Sequence, residues 1–184
     1  MLLHIRRSIL ASLAFLVLCG LAYPLVETGI AQAAFPYQAN GSLRPNGSTL
    51  IGQRFSGPDW FHGRPGAYNP MASGPTNLGP RSAVLERHVA ARIAQWRRLG
   101  VRPTSGLVTS SGSGLDPDIS PRSAYAQVGM VARARKIPPV ALRRLVASEV
   151  HGRQLGFLGS PYVNVLQLNE AVARLVSSHA YSRS

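Results

Sequence analysis

The sequence predicts an α+β chain: a single N-terminal transmembrane helix, then a small extracytoplasmic domain with helices dominating its second half. Three observations support this class. Residues 8–26 form an uncharged apolar run, residues 31 to about 80 are rich in Gly, Pro, Asn and Ser, and helical periodicity begins near Ser82. The 154 residues beyond residue 30 suffice for one domain with a real core.

The apolar run has the length and flanking charges of a membrane span. Its 19 residues, SILASLAFLVLCGLAYPLV, would extend about 28 Å as a helix, close to the hydrocarbon thickness of a bilayer. Arg6 and Arg7 precede it, and Glu27 is the only charge before Arg44. This asymmetry predicts an N-terminus inside the cell. The predicted divisions are a cytoplasmic N-terminus (1–7), a transmembrane helix (8–26), an extracytoplasmic domain (31–176) and a polar tail (177–184).

Two other interpretations of this segment remain open. Ala31-Gln32-Ala33 could serve as a signal-peptide cleavage site, which would make the chain a secreted polyanion-binding protein. A lipoprotein signal would use Cys19, the only cysteine, which also means that no intrachain disulfide can form. The run is longer than a usual signal and the cleavage site lies late, so we favour a retained anchor. Tyr23-Pro24 would then lie at the outer interface, where the helix can stop.

The net charge of +13 comes from 19 arginines and one lysine against seven acidic residues. Such an excess attracts polyanions, including anionic headgroups and acidic protein faces. The arginines are scattered, however, and no basic stripe is interleaved with aromatic residues. We therefore expect no nucleic-acid partner. The alternative explanation for the arginines is a GC-rich genome that encodes them wherever a solvated cation suffices.

The first half of the domain is expected to be irregular. Asn40-Gly41 and Asn46-Gly47 are turn signals, and Ser48–Phe55 is predicted to form a short strand. A segment this irregular must be held by side-chain packing. The aromatic residues Phe55, Trp60 and Phe61 are therefore expected to plug the core.

The second half contains four predicted helices. The first helix begins at Ser82, ends before Gly100 and buries a stripe of apolar residues at helical spacing. After this helix, Leu107–Thr109 is predicted to form a short strand. The later helices begin at Ser120-Pro121, at Pro138-Pro139 and near Val165. The stripe of the first helix comprises Leu85, Val89, Ile93 and Trp96.

A glycine-rich loop after the second predicted strand is the best candidate for a ligand site. Glycines let successive backbone N–H groups converge, which is how loops cradle phosphate. The loop lacks the Gly-Lys-Ser/Thr ending of a nucleotide-binding loop, so a tight structural turn is the alternative. The candidate ligand-binding residues are Ser111, Gly112, Ser113, Gly114, Leu115 and Asp116.

No set of residues in the sequence predicts catalysis. Asp116 and Asp118 fall short of a cation shell, the five histidines are dispersed, and no Gly-x-Ser-x-Gly elbow occurs. We expect an accessory or interaction protein without catalytic residues, a metal or a cofactor of its own. The weaker alternative is an enzyme that uses the two aspartates.

Several stretches, in order along almost the whole chain, resemble the C subunit of the bacterial Kdp-type potassium-transporting P-type ATPase. The chain departs from the family at three places. Gly66 stands where the family usually has Ser, Pro75-Thr76 replaces the usual Gly-Ser-type pair, and Asp118 stands where His is common. The matching stretches are Tyr23-Pro24, Thr28–Gln32, Gln38–Ser42, Leu50–Gln53, Phe61–Pro65, Ala72–Gly74, Asn77–Pro80, Val108–Pro117, Ile119–Pro121, Leu155–Gly159 and Val163–Leu166.

The resemblance implies a non-catalytic subunit of an ATP-driven potassium uptake complex in the bacterial inner membrane. Its implied partners are a channel-like potassium-binding subunit, the ATP-hydrolysing P-type subunit and a very small membrane peptide, and the complex handles ATP and potassium. The family's C subunit is described as a catalytic chaperone that raises the ATP affinity of the hydrolysing subunit, with the Ser111–Leu115 loop proposed as a nucleotide contact. A domain outside the cell could not meet cytoplasmic ATP, so we consider direct nucleotide binding the weaker implication.

Overall fold

The computed structural model describes residues 1–181, with side-chain exposure through residue 177. It divides into two units, Met1–Leu43 and Arg44–Ser184. Helices and strands alternate irregularly, so the predicted mixture of helix and sheet is confirmed. The helices are α1 (Leu2–Val17), α2 (Tyr23–Ala34), α3 (Pro36–Ala39), α4 (Ala83–Arg98), α5 (Ser105–Val108), α6 (Pro121–Arg135), α7 (Pro139–Ser148) and α8 (Val165–Tyr181). The strands are β1 (Leu43–Arg44), β2 (Gly47–Ser48), β3 (Asp118–Ile119), β4 (Val150–His151) and β5 (Tyr162–Asn164).

The first unit is dominated by one exposed apolar helix. A π-helical turn, Leu18–Ala22, joins α1 to α2, giving a continuous 33-residue helix. Among the described residues, this is the one helix long and apolar enough to cross a membrane. The helix continues through Pro24, so the prediction that it stops there is wrong. Proline removes a backbone donor and crowds the preceding turn, and the wider π turn gives room for its ring.

The second unit is built on a three-stranded antiparallel sheet covered by helices. Strand β5 is central: Ile119 of β3 and Val150 of β4 both pair with Val163. Helix α6 packs against α7 and β5, and α7 packs against α8. The core between these elements is aliphatic, with Val128, Val131, Leu142, Val146, Val163, Leu168 and Val172 almost fully buried.

Two helices of the second unit begin at the residues that their capping signals predict, and α4 also ends at its predicted glycine. The Ser82 hydroxyl accepts from the Leu85 N–H at 3.4 Å, and Gly100 takes the left-handed φ of +72° that closes α4. Ser120 caps α6 through the Ser123 N–H at 3.2 Å. Helix α8 includes residues 177–181 of the predicted polar tail, and residues 182–184 lie outside the described chain.

Two predicted strands are wrong. Only Gly47–Ser48 is extended as a strand near the predicted Ser48–Phe55, because the chain turns at residues 49–51 and Gly52 donates its N–H to the glycine-rich loop. Leu107–Thr109 instead overlaps the one-turn helix α5. That turn directs Leu107 and Val108 into the core.

Two buried amide side chains hold the irregular segment between β2 and α4. Asn169 of α8 accepts from the Phe61 N–H and donates to the Phe61 carbonyl, both at 2.8 Å. Gln127 of α6 does the same to His62, at 2.8 and 3.0 Å. We call these four bonds the amide clamp. It places the Phe61 ring in the core, fully buried as predicted. Phe55 and Trp60, also predicted as plugs, are only half-buried.

Removing either clamp amide should destabilise the protein strongly. Asn169→Ala leaves the buried N–H and carbonyl of Phe61 unsatisfied, and Gln127→Ala does the same at the half-buried His62. Each substitution should therefore lower the apparent free energy of unfolding by about 2 to 4 kcal/mol. Denaturant titration of the full-length chain in detergent measures this. The matched control is Gln95→Ala on the exposed face of α4, which should change it by under about 0.5 kcal/mol. Equal effects of Gln127→Ala and Gln95→Ala would contradict the clamp.

Candidate functional site

The glycine-rich loop lies between α5 and β3, and its own side chains cap part of its backbone. The Ser111 hydroxyl accepts from the Gly114 N–H at 2.9 Å, and the Ser113 hydroxyl accepts from the Leu115 N–H at 3.1 Å. A carboxylate oxygen of Asp116 accepts from the Asp118 N–H at 3.1 Å. These three N–H groups are therefore committed to the loop itself.

The carbonyl groups of the loop point outward to the irregular segment. Ser113 O accepts from the Gly74 N–H at 2.9 Å and from the Ser73 hydroxyl at 3.0 Å. Leu115 O accepts from the Gly52 N–H at 2.7 Å. The loop thus supplies acceptors to segments that have no strand partner of their own.

Two glycines of the irregular segment allow this close approach. A Cβ on Gly52 would lie 2.6 Å from the Asp116 carbonyl oxygen. A Cβ on Gly66 would overlap the Gly114 carbonyl oxygen. Both contacts therefore depend on residues without a side chain.

Arg64 ties both ends of the loop together. Its Nη2 donates to the Ser110 carbonyl at 2.9 Å, and its Nη1 lies 3.3 Å from an Asp116 carboxylate oxygen. Burial raises the pKa of Asp118, whereas the hydrogen bond from Asn164 at 2.9 Å opposes that shift. The nearby Asp116 carboxylate also raises it.

The structure brings the six predicted ligand-binding residues together in one loop, but only Asp116 lines a cleft. That cleft, about 390 Å³, is lined by several hydroxyl-bearing residues together with Arg64, Asp116 and Asp118. The N–H groups of Gly112 and Ser113 have no partner among the described residues. Anion binding by the loop stays a prediction that would depend on these two groups. Within the described residues, no three His, Cys, Asp or Glu side chains group closely enough to hold a metal ion.

Sequence reasoning missed the residues that organise this region. Gln127 follows Ala124 and precedes Val128 on the buried face of α6, and Asn169 follows Leu168 on the buried face of α8. An amide within an apolar stripe must find a buried partner, and this signal could have identified both. Arg64 gave no signal beyond its place in the Phe61–Pro65 stretch.

The glycine at position 52 should be essential to the docking of the loop. Gly52→Ala forces its Cβ against the Asp116 backbone, so we expect the apparent free energy of unfolding to fall by about 1 to 3 kcal/mol. Denaturant titration measures it. The control is Gly112→Ala in the loop, whose Cβ would meet nothing within 4 Å and should be tolerated. A harmless Gly52→Ala would show that the loop does not depend on this contact.

Comparison with known proteins places the chain in a family. A family model described as "K+-transporting ATPase, c chain" matches residues 5–174. A similar protein from Allorhizobium ampelinum, named "Potassium-transporting ATPase KdpC subunit", is 49% identical over 185 residues, covering 94% of this chain and 96% of its own.

Proteins with the same name from two other bacteria are also similar to this chain over almost their whole length. The one from Geobacter sulfurreducens is 48% identical over 186 residues, covering 94% of this chain and 98% of its own. The one from Gemmatimonas aurantiaca is 46% identical over 197 residues, covering 100% and 99%. The chain therefore belongs to the KdpC family, the c chains of K+-transporting ATPases.

Proposed function

We propose that the chain is a membrane-anchored accessory subunit of an ATP-driven potassium uptake complex and does not itself hydrolyse ATP. Membership of the KdpC family and the names of its relatives, "Potassium-transporting ATPase KdpC subunit", support this. The observation that supports it best is a set of exposed apolar side chains in a hydrogen-bonded turn of the second unit. We call residues 153–159 the apolar tip.

The apolar tip exposes large side chains that a monomeric domain would be expected to bury. Leu155 is 82% exposed and Phe157 is 69% exposed, with Leu158 beside them. Paired backbone bonds fix the turn, since Gln154 N–H donates to Leu158 O at 3.0 Å and Leu158 N–H donates to Gln154 O at 2.9 Å. A preformed apolar turn loses little entropy on binding, so it suits a shaped pocket on a partner subunit.

The second contact surface is the N-terminal helix. Its large apolar side chains are exposed along its whole length, and lipid or partner helices would cover them. Small residues such as Ala11, Ala14 and Gly20 would allow a partner helix to approach closely. The basic residues Arg6 and Arg7 favour an N-terminus in the cytoplasm and a second unit on the extracytoplasmic face of the inner membrane.

This orientation determines how the chain would affect ATP hydrolysis. An extracytoplasmic unit cannot touch cytoplasmic ATP, so any increase in the ATP affinity of the hydrolysing subunit would be transmitted through the assembled complex. The partners in this proposal are a channel-like potassium-binding subunit, the P-type hydrolysing subunit and a small membrane peptide. The chain would stabilise their association from the extracytoplasmic side.

Recovery of the complex from a potassium-starved host tests the proposal. The full-length chain carries a C-terminal tag, membranes are extracted in mild detergent, and mass spectrometry identifies what co-purifies. We expect an uncleaved chain together with a P-type subunit and a channel-like subunit. A soluble chain recovered alone and shortened near Ala33 would instead support the secreted polyanion-binding alternative.

Substitutions in the apolar tip should reduce the co-purification of partner subunits without affecting the folding of the chain. The Leu155→Ser, Phe157→Ser double variant should reduce co-purified partner subunits at least tenfold, because aromatic anchors carry much of the energy of an interface. Its apparent free energy of unfolding should stay near that of the parent, since both side chains are exposed. Val140→Ser, at an apolar position on α7 that is 60% exposed, is the control. Normal recovery of the double variant would exclude the tip as a contact.

A further inference from the structure

A second cleft in the folded unit, separate from the one at Asp116, is lined by positive charge. It has a volume of about 460 Å³ and lies between residues 54–68 and one face of α4. Arg54, Arg64 and Arg92 line it, and neither Asp nor Glu is among its lining residues. We call it the arginine cleft. Its volume falls in the range of small-molecule sites.

Backbone carbonyls hold Arg54 and Arg92 in place without neutralising their charge. Arg54 Nη2 donates to Ala67 O at 3.2 Å, and Arg92 Nη1 donates to Val108 O at 2.9 Å. Neither forms an ion pair with a carboxylate among residues 1–181. Arg64 is paired with Asp116, yet its buried Nε has no hydrogen-bond partner in the described chain. A guanidinium has five donors, so each of these side chains retains unused N–H groups.

The walls of the arginine cleft are fixed by hydrogen bonds and ring packing. His62 Nε2 lies 2.7 Å from the Gly57 carbonyl, and its ring meets Trp96 edge to face at 5.4 Å. Trp96 Nε1 in turn donates to Leu107 O at 3.0 Å. Burial lowers the pKa of His62, so at neutral pH the positive charge of the cleft resides on the arginines.

We propose that the arginine cleft binds a phosphate group, either of free phosphate or of an anionic lipid headgroup. Arg54 and Arg92 line the cleft without a carboxylate partner, beside the ion-paired Arg64, and an oxyanion would supply the negative charge that they lack. Their planar forks match the oxygen geometry of phosphate, and donors already oriented by carbonyls lose little freedom on binding. This site shares Arg64 with the cleft beside the glycine-rich loop and is distinct from the subunit contacts proposed above.

Binding to the detergent-solubilised full-length chain tests this. Tagged protein is immobilised, and the retention of radiolabelled inorganic phosphate and of radiolabelled short-chain phosphatidylglycerol is measured; short-chain phosphatidylcholine serves as reference. Saturable binding of phosphate alone assigns the cleft to free phosphate, and binding of phosphatidylglycerol alone assigns it to a headgroup. If each probe displaces the other, the cleft recognises the phosphate group that the two probes have in common. Absence of saturable binding by either probe overturns the proposal.

Substitutions distinguish the cleft from general surface charge. Gln95→Glu adds a carboxylate at the lining and removes none of the bonds described above, so it should weaken binding about tenfold, as should Arg54→Gln. The matched controls are Gln154→Glu and Arg87→Gln, exposed positions that do not line the cleft. Thermal unfolding verifies that each variant is folded. Equal losses in cleft and control variants would show that binding follows net charge and would overturn the proposal.

Discussion

The amide clamp is the interaction on which the folded unit depends. The chain between β2 and α4 forms no sheet with the core, yet Phe61 must enter that core and its backbone polar groups must be satisfied there. Asn169 and Gln127 each present a donor and an acceptor, the same pair that a neighbouring strand would offer. Two helices thus replace a strand partner for consecutive residues, which fixes the course of the whole segment.

Both clefts follow from this arrangement. With Phe61 and His62 fixed, Arg64 lies between the two clefts and donates hydrogen bonds to Ser110 and Asp116. Arg64 lines both the hydroxyl-rich cleft and the arginine cleft. The glycines of this region serve mainly to let backbones approach, as at Gly52, and the serines of the loop cap its own N–H groups. A glycine-rich sequence is therefore compatible with a structural turn as well as with a phosphate cradle.

Local signals in the sequence predicted the helices well. Ser82, Gly100 and Ser120 act through bonds within a few residues of themselves, so their effect can be inferred from sequence. The two- and three-residue strands could not be inferred, because Ile119 and Val150 become strands only by pairing with the distant Val163. The predicted strands failed for the same reason: Ser48–Phe55 and Leu107–Thr109 have strand-like composition but lack a partner. The amide clamp joins residues 65 and 108 positions apart, which no local pattern encodes.

Amide hydrogen exchange of the full-length chain tests most directly whether the clamp holds the irregular segment. The Phe61 and His62 N–H groups should exchange as slowly as those at the centres of α6 and α8, because opening them requires breaking buried bonds to both helices. The N–H groups of the exposed residues Thr76, Asn77 and Gly79 should exchange faster. Exchange of Phe61 and His62 at the rate of an open loop would contradict the account, since the segment would then be held without the two amides.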